Sequence, residues 1–196
     1  MDRKWKVLLA VGAGVILTKL VLADSKPLLP TVSSVDLTRY VGKWYEIARY
    51  PNWFEKAYVT DVTAEYTARQ DGKITVVNSC RRADGTIKTS KGEATVEDQE
   101  THAKLKVTFF KPFYGKYWVI DLAADYSYAV VGEPTRKYLW ILSRTPRMSA
   151  ETYGKISQRV RELGYDPAKL IQTAQSQSEP GAPGEVRSAI GVALAH

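Results

Sequence analysis

Eight stretches of the chain alternate apolar and polar residues with a period of two, and only short turn sequences separate them: 43–50, 60–68, 73–82, 86–97, 103–109, 116–122, 126–132 and 138–143. The fifth shows the pattern best, with Ala103, Leu105, Val107 and Phe109 alternating with Lys104, Lys106 and Thr108. Successive side chains of a strand point to opposite faces, so each stretch reads as a strand with one face in a core. Asp71-Gly72 and Asp84-Gly85 supply the positive-φ residues of tight hairpin turns. No connection is long enough for a crossover. The pattern therefore predicts an all-β fold, an eight-stranded antiparallel up-and-down β-barrel. A barrel of that strand number is just wide enough to hold one small ligand.

One C-terminal helix follows. Ser149 caps it, Tyr153, Ile156, Val160 and Leu163 form a single apolar stripe, and Gly164 with Pro167 ends it. A single stripe means a single buried face, so the helix is expected on the outside of the barrel. Residues 35–40 read as a short helical turn capped by Ser34, and residues 170–173 as a last short strand.

The 196 residues suffice for one domain with short extensions. In residues 1–23, Arg3, Lys4 and Lys6 precede an apolar run from Val7 to Leu17, and Val21-Leu22-Ala23 precede Asp24. That is the layout of a signal peptide, or, given Lys19 and the shortness of the run, an N-terminal membrane anchor. Residues 24–34 read as an extended linker, 35–175 as the folded domain, and 176–196 as a flexible C-terminal tail rich in Ser, Gly and Pro.

The net charge is +7, but the cations stand singly between threonines and apolar residues, and residues 1–23 hold four of them against one acid. No recognition helix or stacking motif accompanies them, so no nucleic-acid partner is expected, whereas a mild attraction to an anionic membrane surface is. The lone Cys80 excludes an internal disulfide and a cysteine-built metal site, and His102 and His196 have no ligand spacing. No cofactor and no metal are expected. No cysteine follows residue 23 closely, so lipid attachment there is not expected either.

Three motifs in order carry a resemblance. Gly42-Lys43-Trp44-Tyr45 opens the first strand, Ala124-Asp125-Tyr126 precedes the seventh with alanine in place of the usual threonine, and Arg144 ends the eighth. Together with the strand number and the trailing helix, over residues 35–175, they resemble the lipocalin family. The strings WYEIARYPNWFEK, FFKPFYGKYWV and YLWILSRTP resemble the bacterial outer-membrane lipocalins, the branch related to apolipoprotein D. The resemblance implies that Gly42, Trp44, Asp125, Tyr126 and Arg144 are structural, with Trp44 plugging the closed end and Arg144 lying across its indole. It further implies a carrier of fatty acids or lysophospholipids in membrane lipid maintenance, located in the cell envelope, periplasmic or membrane-associated.

With Trp44 inward, strict alternation sends Glu46, Ala48 and Tyr50 inward and Tyr45, Ile47 and Arg49 outward towards the helix. It also turns Val62, Ala64 and Tyr66, then Leu105, Val107 and Phe109, and finally Tyr138, Trp140 and Leu142 to the interior, and it puts Cys80 on one face with Ile74, Val76 and Asn78, a candidate lining of the barrel. The aromatic loops after the first and fifth strands lie at the same end. Trp53, Phe54, Tyr66, Phe109, Tyr114, Tyr138 and Trp140 are the expected ligand-binding residues. An inward Glu46 requires a partner. Catalysis is not expected: neither Glu46 nor Cys80 has a visible catalytic companion. Other readings are a module that docks to a membrane or, as a homodimer, to its own copy through the aromatic loops, and an enzyme built on the barrel.

Overall fold

A computed structural model describes residues 27–53, 55 and 60–176. The expectations for residues 1–23, Phe54 and the tail from 177 onward lie outside the described residues. The elements in chain order are α1 (Leu37–Tyr40), β1 (Gly42–Arg49), β2 (Thr60–Ala68), β3 (Ile74–Arg81), β4 (Ile87–Val96), β5 (Lys104–Phe110), β6 (Phe113–Leu122), β7 (Tyr128–Gly132), β8 (Leu139–Ser143), α2 (Ala150–Glu162), a 3-10 turn (Pro167–Lys169) and β9 (Ile171–Gln172).

Each strand from β2 to β7 pairs with its sequence neighbours, and β1 closes the ring by pairing with both β8 and β2, while the short β9 adds to β1. Every pairing between these strands is antiparallel, and one isolated parallel bridge joins Thr60 to Ala174. The result is the closed eight-stranded barrel that the alternation predicts. Two apolar cores share its wall. The inner one holds Trp44, Tyr66, Val76, Ala94, Leu105, Val119 and Leu142. The outer one packs Ile47, Ala48, Ile120, Val130, Leu139 and Ile141 against Ile156 and Val160 of α2 and Leu163 at its C-terminal cap. Ser149 caps α2 by accepting a hydrogen bond from the Thr152 N–H, and Gly164 takes a positive φ of 84° just beyond its end.

The structure departs from strict alternation in β1. The β1–β8 register slips between Glu46 and Ala48, a bulge that places two successive residues where the partner has one. Glu46 still faces inward, but Ala48 and Tyr50 turn out to the α2 side and Arg49 turns in. The expected faces of these last three residues are thus reversed. A period-two rule has no means of locating an extra residue.

Other boundaries shift for local reasons. The cap of α1 is Asp36, whose carboxylate accepts from the Thr38 N–H, rather than Ser34. Phe109, Phe110, Phe113 and Tyr114 belong to β5 and β6 rather than to a loop, with Lys111-Pro112 forming the turn. The stretch expected as a linker is packed from Leu29 on: Leu29 is buried in the outer core and the Val32 N–H donates to the Val119 carbonyl at 3.0 Å. Ser176, the expected start of the tail, is tied to the Asp61 carboxylate through its N–H and its hydroxyl.

Candidate functional site: a one-ended cavity

Trp44 is fully buried and closes one end of the barrel. Its indole Nε1 donates to the Tyr40 carbonyl at 2.8 Å, and the Arg144 guanidinium lies 3.8 Å from its ring centre. Arg144 also donates to the carbonyls of Lys43, Arg39 and Tyr40. Gly42 has a φ of 93°, and a Cβ there would sit 3.5 Å from Arg144 Nη1, so the strand must open on a residue tolerant of that backbone. The Asp125 carboxylate accepts from the Ser127 N–H, while the Tyr126 hydroxyl accepts from the Asp36 N–H and its ring carries the Arg39 guanidinium at 4.0 Å. The three sequence motifs therefore converge on one end and tie α1 over it.

Above this floor lies a cavity of about 600 Å³, within the ~300–1,000 Å³ typical of small-molecule sites. Of the residues predicted to bind ligand, Trp53, Tyr66, Phe109, Tyr114, Tyr138 and Trp140 all line it. Tyr138 and Trp140 stack with ring centres 5.9 Å apart, and Leu142 continues their face downward. Leu139 and Ile141, on the other face of β8, lie in the outer core.

Of the polar lining, alternation brought out Tyr66 and Asn78 but not Tyr117 or Ser90. Tyr117 of β6 and Tyr66 of β2 reach the floor of the cavity and meet Tyr40 there. The Tyr117 hydroxyl lies 2.8 Å from that of Tyr40 and 3.0 Å from that of Tyr66. Burial pushes the Tyr66 phenol up to about 12, that of Tyr40 higher still, and that of Tyr117 well above the usual tyrosine value, so all three keep their protons at any ordinary pH. Asn78 of β3 and Ser90 of β4 face each other across the ladder and also line the cavity. Extending the period from Val119 to Tyr117 was the available signal. The meeting of Tyr40, Tyr66 and Tyr117 joins three segments far apart in sequence, which no local pattern reports.

Glu46 has the partner its burial requires. Arg49 Nη1 donates to Glu46 Oε1 at 2.9 Å, and the Thr173 hydroxyl donates to the same oxygen. Arg49 Nε also pairs with Glu55 Oε2 at 3.0 Å. Glu55 is held in turn by the Asn52 amide at 2.6 Å and the Trp140 indole N–H at 3.3 Å. Two carboxylates thus share one guanidinium in the cavity wall. Burial, and then the neighbouring Glu55 charge, pushes the Glu46 carboxyl up to about 7, and burial raises Glu55 as well. Cys80 is buried near the mouth end of β3, and burial raises its thiol. Among the described residues, no group of three or more His, Cys, Asp or Glu side chains is placed to hold a metal ion.

The open end is rimmed by aromatic rings. Trp53, Phe110 and Phe113 are 73%, 74% and 71% exposed, and Phe110 stacks on Phe113 at 6.2 Å. Tyr114 carries the Lys106 ammonium at 5.5 Å, and Lys111 stands in the turn between them, paired with Glu93.

The sequence profile of the lipocalin-like domain matches residues 35–175. The chain is 42% identical to the outer membrane lipoprotein Blc of Escherichia coli K12 over 176 residues, spanning 87% of this chain and 99% of that protein. It is 40% identical to temperature-induced lipocalin-1 of Arabidopsis thaliana over 161 residues, spanning 78% and 86%. It is also 40% identical to bovine (Bos taurus) apolipoprotein D over 156 residues, spanning 74% and 80%. Among solved structures, insecticyanin of the tobacco hornworm, Manduca sexta, superposes with a TM-score of 0.60 at 25% identity, over 78% of this chain and 86% of that one. The closed barrel, the Trp44–Arg144 floor, the external helix and these sequence matches agree, and the chain belongs to the lipocalin family.

Proposed function

We propose that this barrel binds a fatty acid or a lysophospholipid and carries or stores it for membrane lipid maintenance in the cell envelope. Lipocalin relatives support hydrophobic ligand binding in general terms. The observation that carries the finer reading is the one-ended cavity of about 600 Å³, apolar and aromatic on the β5 and β8 walls and open to a basic and aromatic rim. Each buried methylene contributes about 0.8 kcal/mol, so a long chain gains useful affinity from burial alone. The rim lysines suit a phosphate or carboxylate head group. No step of this function requires catalysis, so the proposal is a carrier rather than an enzyme. Cys80, the one cysteine of the chain, lies inside β3, so we place the protein in the periplasm or at a membrane without an acylated cysteine. Titration of delipidated protein with palmitic acid, stearic acid and their lysophospholipids in a calorimeter tests the reading. Micromolar or tighter binding supports it, and no heat with any of these ligands rejects it.

The exposed rim favours a second, compatible role. Three largely exposed aromatic side chains beside Lys111 form a surface suited to the head-group region of an anionic bilayer, from which a ligand could be taken up. The same patch could instead join two copies, and light scattering in the presence and absence of vesicles separates the two.

A further inference from the structure

The cavity is more polar on one side than a carrier of plain hydrocarbon chains needs. The three floor phenols hold three hydroxyl hydrogens, and their two mutual contacts use two of them. The third has no acceptor among the described residues. Higher on the wall, the buried Oδ1 of Asn78 has no hydrogen-bond partner among the described residues. Ser90 stands directly across the ladder from it, with side chains of such a pair about 5 Å apart. Both residues face the cavity, as do Tyr66 and Tyr117. Asn78 precedes the mouth end of β3 at Arg81 by three residues, a depth of roughly 10 Å along the strand.

A saturated chain lying here would cover an amide and a phenol hydrogen without bonding either. Leaving such groups unpaired costs as much affinity as the burial of about one to four methylenes contributes. A water on these groups would avoid that cost, and a ligand oxygen in its place would do so without the water's immobilisation.

We propose that the cavity is adapted to an acyl ligand bearing an oxygen on the buried part of its chain: a hydroxy-substituted fatty acyl group whose O–H donates to Asn78 Oδ1 beside Ser90, or a hydroxy- or oxo-substituted one whose oxygen accepts from the Tyr66–Tyr117–Tyr40 hydroxyls. The proposal rests on the reading of the barrel as an acyl-chain carrier. The wall pair suits an oxygen near the middle of a chain whose head is at the rim, and the floor hydroxyls suit one at its far end. The opposite wall of Tyr138, Trp140 and Leu142 covers the unsubstituted side.

Two matched pairs of probes test this on the delipidated full chain: stearic against 12-hydroxystearic acid for the wall, and palmitic against 16-hydroxypalmitic acid for the floor. At least one hydroxy acid is expected to bind about tenfold more tightly than its parent. Asn78→Leu should bring the wall ratio to about one, and Tyr66→Phe combined with Tyr117→Phe, which removes both phenol hydroxyls that line the cavity, the floor ratio. Parents that bind as tightly as both hydroxy acids, or more tightly, overturn this inference and leave the acyl-carrier reading standing. A preference untouched by either substitution also overturns it. No binding of any of the four acids overturns both.

Discussion

The guanidinium of Arg144 lies 3.8 Å from the centre of the Trp44 indole, while both residues bond the same carbonyl, that of Tyr40. The pair therefore fastens the last barrel strand to the first and to α1 at a single point. Arg144→Ala removes the cation–π contact, worth about 0.5–2 kcal/mol, and the hydrogen bonds to three carbonyls. A loss of about 2–4 kcal/mol in urea unfolding is expected, with Arg144→Lys recovering part of it. Ligand affinity of the folded variant should stay close to that of the parent, since Arg144 lies beneath the floor.

Glu46 predicts a pH dependence of stability with a definite sign. Its folded-state pKa of about 7 exceeds the ordinary 4.5, so the folded protein holds this proton more tightly than the unfolded chain does. The stability it contributes is complete below about pH 4.5 and declines as the pH rises to about 7, by roughly 3 kcal/mol at most. Glu46→Gln should flatten that decline. The measurement is the difference between parent and variant unfolding free energies at pH 5 and pH 8, which cancels the opposite trend of acids such as Asp61 and Asp98 whose pKa values are lowered.

Gly132 lies against Tyr165. A Cβ at residue 132 would overlap the Tyr165 hydroxyl and come within 3.1 Å of Ile120 Cδ1. Gly132→Ala should cost about 1–3 kcal/mol by overpacking. Adding Tyr165→Phe, which removes the overlapped oxygen, should recover part of the loss. A double-mutant cycle in chemical denaturation then yields a coupling energy clearly different from zero.

Trp140 joins the cavity lining to the Glu55 carboxylate. Trp140→Ala should weaken binding of a C16–C18 acyl probe about tenfold or more by displacement titration, the scale expected for losing a large half-buried ring from the cavity wall. Unchanged affinity would remove the β8 face from the ligand's path.

Serine at Trp53, Phe110 and Phe113 together should lower co-sedimentation with anionic vesicles several-fold while leaving the thermal midpoint nearly unchanged, because these side chains are largely exposed. Retained sedimentation would take the rim out of membrane contact.

The barrel was legible because its signals are local. Alternation, two Asp-Gly turns and a capped amphipathic helix each occupy fewer than about fifteen residues and need no tertiary context. The faces of β2, β3, β5 and β8 followed directly. The β1 bulge was not legible: Ile47, Ala48, Arg49 and Tyr50 are judged by alternation alone, and an inserted residue leaves no compositional mark. The same limit concealed the Glu46–Arg49–Glu55 group, because an outward Arg49 cannot reach Glu46. Tyr40 read as part of a helical turn, which it is, yet its hydroxyl belongs to the cavity floor. Side chains long enough to leave their own element are the ones whose neighbours sequence does not name.

β1 is paired to β2 only from Gly42 to Tyr45; beyond that its edge passes to β9 at Ala48 and Arg49. The strip from Thr173 to Ser176 fills the divide. The Thr173 N–H donates to the Ile47 carbonyl and the Asp61 N–H to that of Ala174, while the Gln175 amide donates to the carbonyls of Glu46 and Val62. This seam is made from residues that follow every barrel strand in the chain. The eight strands can associate without it, but the upper join between first and second stays unstitched until residues 173–176, which follow even α2, have docked.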